Sequence, residues 1–153
     1  MSEKSLVTIT RQSGYQFLVD FGESLPQWLA DEPAPLGQGS GPSPDDMLMA
    51  AVANCLSASL LFALQKFKQD PGTLVATATP TVERNENKRL RITGIRVAIA
   101  LGRAAAEIEH LDRVLSQFED FCTVSMSVRD GIPIAVEVTD TVFFDKEGGR
   151  IHG

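Results

Sequence analysis

Basic residues are in short supply in this chain. Fourteen Lys and Arg stand against twenty Asp and Glu, for a net charge of −6. With no long basic run, a nucleic-acid partner is not expected. Cysteine is scarcer still, with only Cys55 and Cys122 in 153 residues. That excludes the disulfide framework of a small secreted domain. Their wide separation also excludes a CxxC redox motif and a paired zinc-ligand spacing. The two histidines, His110 and His152, lack metal-ligand spacing, so no metal is expected. Glycine-rich nucleotide loops and the GxSxG elbow are missing, so no cofactor is expected either. The start, MSEKSLVTITRQ, contains no apolar signal-peptide core. The expected compartment is the reducing cytoplasm.

What the chain does have is one long uncharged stretch. Between Ser43 and Phe67 no charged residue occurs from Met47 to Gln65. Ser43 suits an N-cap, Pro44 the first helical position, and Asp45 and Asp46 the positive end of the helix dipole. Ser43 to Asp46 resembles a capping box with Asp in place of Glu or Gln. Apolar and small residues cover nearly every face, which predicts a helix buried all round. Its length approaches that of a membrane span. Asn54, Ser57, Ser59, Gln65 and five alanines make it too weakly apolar for that role, so no membrane is expected. Burial on every side hints at cover from a second subunit.

The remaining elements fall around this helix. Leu6 to Arg11 and Tyr15 to Phe21 read as a hairpin turning at Ser13-Gly14, with Arg11 at the tip. Trp28-Leu29 suits a short strand, and GQGSGPSP suits a mobile segment feeding the helix. Leu74 to Glu83 and Leu90 to Leu101 form a second hairpin, with Pro80 marking an edge or bulge. Ile108, Leu111, Leu115, Phe118 and Cys122 make one helical stripe within Ala104 to Phe121. A short helix ending at Asp130-Gly131 follows, then a strand over Ile132 to Phe143 and a frayed tail. This order predicts one α+β domain over residues 1–153 with antiparallel sheet.

Chemistry centres on the cysteines. They are either buried hydrophobes or a working thiol pair. Cys122 precedes a short helix, which lowers a thiol pKa; Cys55 is mid-helix in apolar surroundings, which raises it. A reactive Cys55 therefore needs an imported cation, and Arg11 is the candidate, although on its own Arg11 reads as a solvated hairpin charge. Asp45 lies ten residues before Cys55, roughly 15 Å along a continuous helix. Either the helix breaks, an arginine bridges part of the gap, or the groups meet across a dimer interface. Helix capping by itself also explains Asp45.

Three features together resemble the OsmC/Ohr family of osmotically inducible and organic hydroperoxide resistance proteins. GPSPDDMLMAAVANC is similar to the family's helix start, and FCTVSMSVRDGIPIAVEV to its second cysteine segment. The element order is similar too, and the wording is closer to the OsmC-like branch. The resemblance implies an OsmC-like fold, in which antiparallel hairpins pack with a long central helix in an intertwined homodimer. It implies a two-cysteine peroxidase acting on organic hydroperoxides or hydrogen peroxide in oxidative-stress defence. Cys55 matches the peroxidatic position, Cys122 the resolving one, Arg11 the activating arginine, and Asp45 an acid that is usually Glu. A dithiol, of lipoyl type in the family, would be the reductant. The alternative is a non-catalytic member binding a small apolar or thiol-reactive ligand at the dimer interface. Leu48, Met49 and Phe62 are possible lining residues for an apolar approach.

Overall fold

The computed structural model describes residues 6–140, 142–144 and 150–152. It forms two compact units, one ending at Leu48 and the other starting at Met49.

In the first unit, β1 (Thr8–Ser13), β2 (Gln16–Asp20) and β3 (Trp28–Ala30) make an antiparallel sheet in that order. Gly14, at φ +51°, closes the β1–β2 turn. Trp28 packs edge-on against Phe21, with ring centroids 4.8 Å apart. The segment expected to be mobile is instead tied down by Asp31. This carboxylate is 2% exposed and accepts the backbone N–H groups of Glu32, Gln38 and Ser40. A Cβ at Gly37 would collide with the Glu32 carbonyl and the Asp31 carboxylate, so only glycine lets the loop close this tightly.

The long helix α1 (Pro44–Lys66) opens with a reciprocal capping box. The Asp46 N–H donates to Ser43 Oγ, and the Ser43 N–H donates to Asp46 Oδ2 at 2.9 Å. Two orphan backbone donors are satisfied by residues three apart, which is why the start is legible in sequence. Burial all round is not what the single chain shows. Val52, Leu56, Leu60 and Leu64 are fully covered, whereas Leu61 and Phe62 are exposed.

In the second unit, β4 (Val75–Arg84) and β5 (Leu90–Ala100) form the expected hairpin, and β6 (Ile134–Thr139) joins β5. Strand β4 is an edge; it contains Pro80, and its register shifts between Thr81 and Val82. Ile95, Val97 and Ile99 alternate inward as the pattern predicted. The β5–β6 pairing is parallel, which corrects the all-antiparallel expectation. Helical segments lie between these two strands in the chain, so the connection is a crossover that lets β6 run alongside β5.

The helix expected over Ala104 to Phe121 is broken. Only α2 (Leu111–Gln117) is α-helical, flanked by 3₁₀ turns at Ala105–Glu107 and Phe118–Phe121. His110 takes the left-handed conformation at φ +63°. Three distant groups hold the break: Asp140 accepts the Ala105 N–H, Gln69 accepts the Glu109 N–H, and Phe67 stacks on His110. These tertiary partners override helix propensity. Of the expected stripe, Ile108, Phe118 and Cys122 are buried.

The last helix, α3 (Thr123–Arg129), stops before Asp130-Gly131 as expected. The final expected strand ends at Thr139. Val142–Phe144 forms β7, paired antiparallel with β8 (Arg150–His152). Part of the tail expected to fray is therefore a strand, and the rest lies outside the described residues.

Candidate active site: the cysteine pair

Cys55 sits midway along α1, beside the buried stripe, and is half-buried. Cys122 is 1% exposed and is the N-cap of α3, with extended backbone at φ −87°, ψ 102°. Its carbonyl accepts the Met126 N–H, and its Sγ accepts the Ser125 N–H at 3.4 Å. The neighbouring Val124 N–H reaches Cys55 Sγ, also at 3.4 Å. Consecutive backbone donors thus each serve one sulfur, and the two sulfurs are hydrogen-bonded to each other.

The surroundings push the two thiols in opposite directions. Burial raises Cys55, and donation to the Cys122 sulfur raises it further. Burial would raise Cys122 as well, but its donors outweigh this. The Cys55 thiol, the Ser125 hydroxyl and N–H, and the Ser59 hydroxyl hold it below the usual thiol value. The pair therefore favours one proton, on Cys55, and one anion, on Cys122. Both directions follow the sequence argument, mid-helix burial for one and an N-cap position for the other.

Ser59 and Ser125 were not singled out by sequence reasoning. The available signal was spacing: Ser59 lies four residues after Cys55 on α1, and Ser125 three after Cys122, so each shares its cysteine's side of a helical turn.

The other two candidates belong to the first unit. Arg11 is exposed on β1, opposite Phe17, and its Nε donates to the Gly14 carbonyl at 2.9 Å, bracing the hairpin turn. Asp45 is exposed in the first turn of α1, where a carboxylate favours the N-terminal dipole. Helix α1 is unbroken from Pro44 to Lys66, so of the three arrangements considered for Asp45 the broken helix does not occur. Among the described residues, no group of His, Cys, Asp and Glu is placed to hold a metal ion.

Of the residues expected to line an apolar approach, Met49 is packed into the core, whereas Phe62 is exposed. Phe62 lies two helical turns beyond Cys55, and Phe121 immediately precedes Cys122. Lys66 Nζ lies 4.8 Å from the Phe62 ring centre and 5.2 Å from that of Phe121.

Residues 37–137 match the family described as OsmC-like protein. No curated protein matches the chain significantly. Several solved structures share its fold. An OsmC-like protein from Mycoplasma pneumoniae has a TM-score of 0.76 at 16% identity, over 92% of this chain and 99% of that one. An organic hydroperoxide resistance protein from Elizabethkingia anophelis has a TM-score of 0.71 at 17% identity, over 92% and 100%. The organic hydroperoxide resistance protein OhrB of Bacillus subtilis has a TM-score of 0.64 at 14% identity, over 88% and 98%. With the matched segment running through both cysteines and most of the second unit, the chain belongs to the OsmC/Ohr family.

Proposed function

We propose that this chain is a thiol-dependent peroxidase that reduces organic hydroperoxides, and hydrogen peroxide as a second substrate, in the cytoplasm. The observation that carries the reading is the shared hydrogen bonding of Cys55 and Cys122, each sulfur also accepting an N–H from the first turn of α3. Two inert core cysteines have no need of such an arrangement. Of the two sulfurs, Cys55 is the more accessible and is therefore assigned the peroxide.

The chemistry runs in three balanced steps. Cys55, as its thiolate, attacks one oxygen of the peroxide; the O–O bond breaks, and the departing oxygen takes a proton to leave as alcohol or water. Cys55 is then a sulfenic acid. The Cys122 thiolate attacks that sulfur, the S–O bond breaks, and hydroxide leaves as the disulfide forms. An external dithiol, which we assign to the lipoyl type, returns both thiols by exchange and is itself oxidised. Because burial raises the Cys55 pKa, the first step needs its proton removed. Arg11 and Asp45 are the proposed activating groups, and a homodimer is the proposed assembly. Exposed Leu61 and Phe62 on the otherwise apolar α1 support a second copy as cover.

The test is peroxide consumption by reduced protein with a dithiol supplied, using cumene hydroperoxide and hydrogen peroxide in parallel. Turnover that disappears in Cys55→Ser supports the reading. Absence of turnover, with both thiols still titratable after peroxide, rejects it. That result would favour binding of a small apolar ligand, for which the first unit offers a cavity of about 230 Å³ lined by Ile9, Phe17, Val19 and Met47.

A further inference from the structure

Ser125 is wholly buried, and its hydroxyl makes no well-formed hydrogen bond. An unpaired hydroxyl in such a place is unfavourable, and native structures seldom keep one without a purpose. This hydroxyl lies beside Cys122 Sγ, on the residue whose N–H already donates to that sulfur. Ser59, 9% exposed on α1, brings a second hydroxyl to the same sulfur. No charged side chain is among the groups acting on Cys122. The surroundings are neutral donors only: two serine hydroxyls, one backbone N–H and the Cys55 thiol. A neutral thiol needs at most one acceptor and offers sulfur only as a weak one. A thiolate uses several donors at once, so this set matches the anion better than the thiol.

We propose that Ser125, together with Ser59, is a positioning residue for the thiol pair: the two hydroxyls complete a donor pocket that holds Cys122 as the thiolate facing Cys55. The inference rests on the reading of Cys55 and Cys122 as a working pair, and it deepens it by naming how the second thiol is made ready. With the anion already in place, Cys122 attacks the Cys55 sulfenic sulfur without first losing a proton. The S–S bond forms as the S–O bond breaks, and hydroxide leaves with the bonding electrons. The Cys122 sulfur is oxidised and the sulfenic sulfur reduced by the same step. In the reverse sense, the hydroxyls make Cys122 the better leaving thiolate when a dithiol opens the disulfide.

The experiment is a pH titration of ultraviolet thiolate absorbance in the Cys55→Ser protein, where Cys122 is the single remaining thiol. Ser125→Ala and Ser59→Ala are then introduced one at a time, with Ser125→Thr as the variant that keeps a hydroxyl. Each serine-to-alanine change is expected to raise the Cys122 midpoint by about one pH unit, a tenfold loss of acidity. Ser125→Thr should restore most of the shift. Lost packing alone would lower stability without moving the midpoint, so a variant with native circular dichroism and an unmoved midpoint overturns the inference. Ser59 and Ser125 lie on different helices, so failure of one variant to fold leaves the other to decide. The titration involves no peroxide. A shifted midpoint in a protein without turnover would retain the donor pocket and reject the peroxidase, whereas turnover with unmoved midpoints would do the reverse.

Discussion

The backbone N–H of Val124 donates to the sulfur of Cys55 across 69 positions of sequence. This bond fixes the second cysteine's helix against the first cysteine, because Val124 and Cys122 share one helical turn. Peroxide treatment of the reduced chain should therefore give an intramolecular disulfide, seen by mass spectrometry as the loss of two hydrogens. In Cys122→Ser the same treatment should leave Cys55 as a sulfenic acid that dimedone traps. A covalent dimer formed through Cys55 in the unaltered protein would contradict the pairing.

Stability should depend on pH in two opposed ways above neutrality. Cys122 is depressed from its ordinary value of 9.0, so its stabilisation is absent below the depressed value and grows as pH rises toward 9.0. Cys55 is raised from the same ordinary value, so its contribution is full below 9.0 and is lost as pH climbs toward its raised value. Denaturation midpoints of the reduced protein should rise and then fall across that window. Cys122→Ser should remove the rise, and Cys55→Ser should remove the fall.

Asp31 should be the residue whose neutralisation loosens the loop before α1. Its pKa is lowered, chiefly by the Ser40 N–H and with help from those of Glu32 and Gln38, while burial opposes them. The stabilisation is thus present above the unfolded value of 3.8 and lost as pH falls through the lowered folded value. Asp31→Asn should destabilise the protein at neutral pH and flatten its acid unfolding. Amide exchange at Gln38 and Ser40 should quicken in the same variant; unchanged protection there would show that other contacts hold the loop.

The ion pair between Arg129 and Glu119, 2.7 Å apart, joins α3 to the 3₁₀ turn before Cys122. Both side chains are about one-third exposed, which limits the Coulombic gain. Arg129 Nε, however, is buried without a partner, so losing the carboxylate would leave more of the guanidinium unpaired. Glu119→Ala should cost about 1 kcal/mol, read as a lower denaturant midpoint with an unchanged slope.

Features fixed by near neighbours were readable in the sequence. Ser43 and Asp46 are three residues apart and cap each other, so the start of α1 was evident. The alternation of Ile95, Val97 and Ile99 likewise identified β5. Features fixed by distant partners were not. Nothing local in Glu109-His110 reveals that Gln69 and Phe67 would hold a left-handed turn there. The period of a strand shows its faces but not its neighbour, so the parallel docking of β6 on β5 escaped notice. At the site, each cysteine's local environment was legible, whereas their meeting was suggested only by family resemblance.

Strand β4 forms one border of its sheet, and Pro80 lies within it. Proline has no N–H to offer an incoming chain, and the irregularity at Thr81 and Val82 bends the strand just beyond it. A foreign strand approaching this border finds its hydrogen-bonding row interrupted twice within three residues. The fold thus carries its own guard against growing sideways into an aggregate, which matters for a chain that also exposes Val75 and Val82 on this strand.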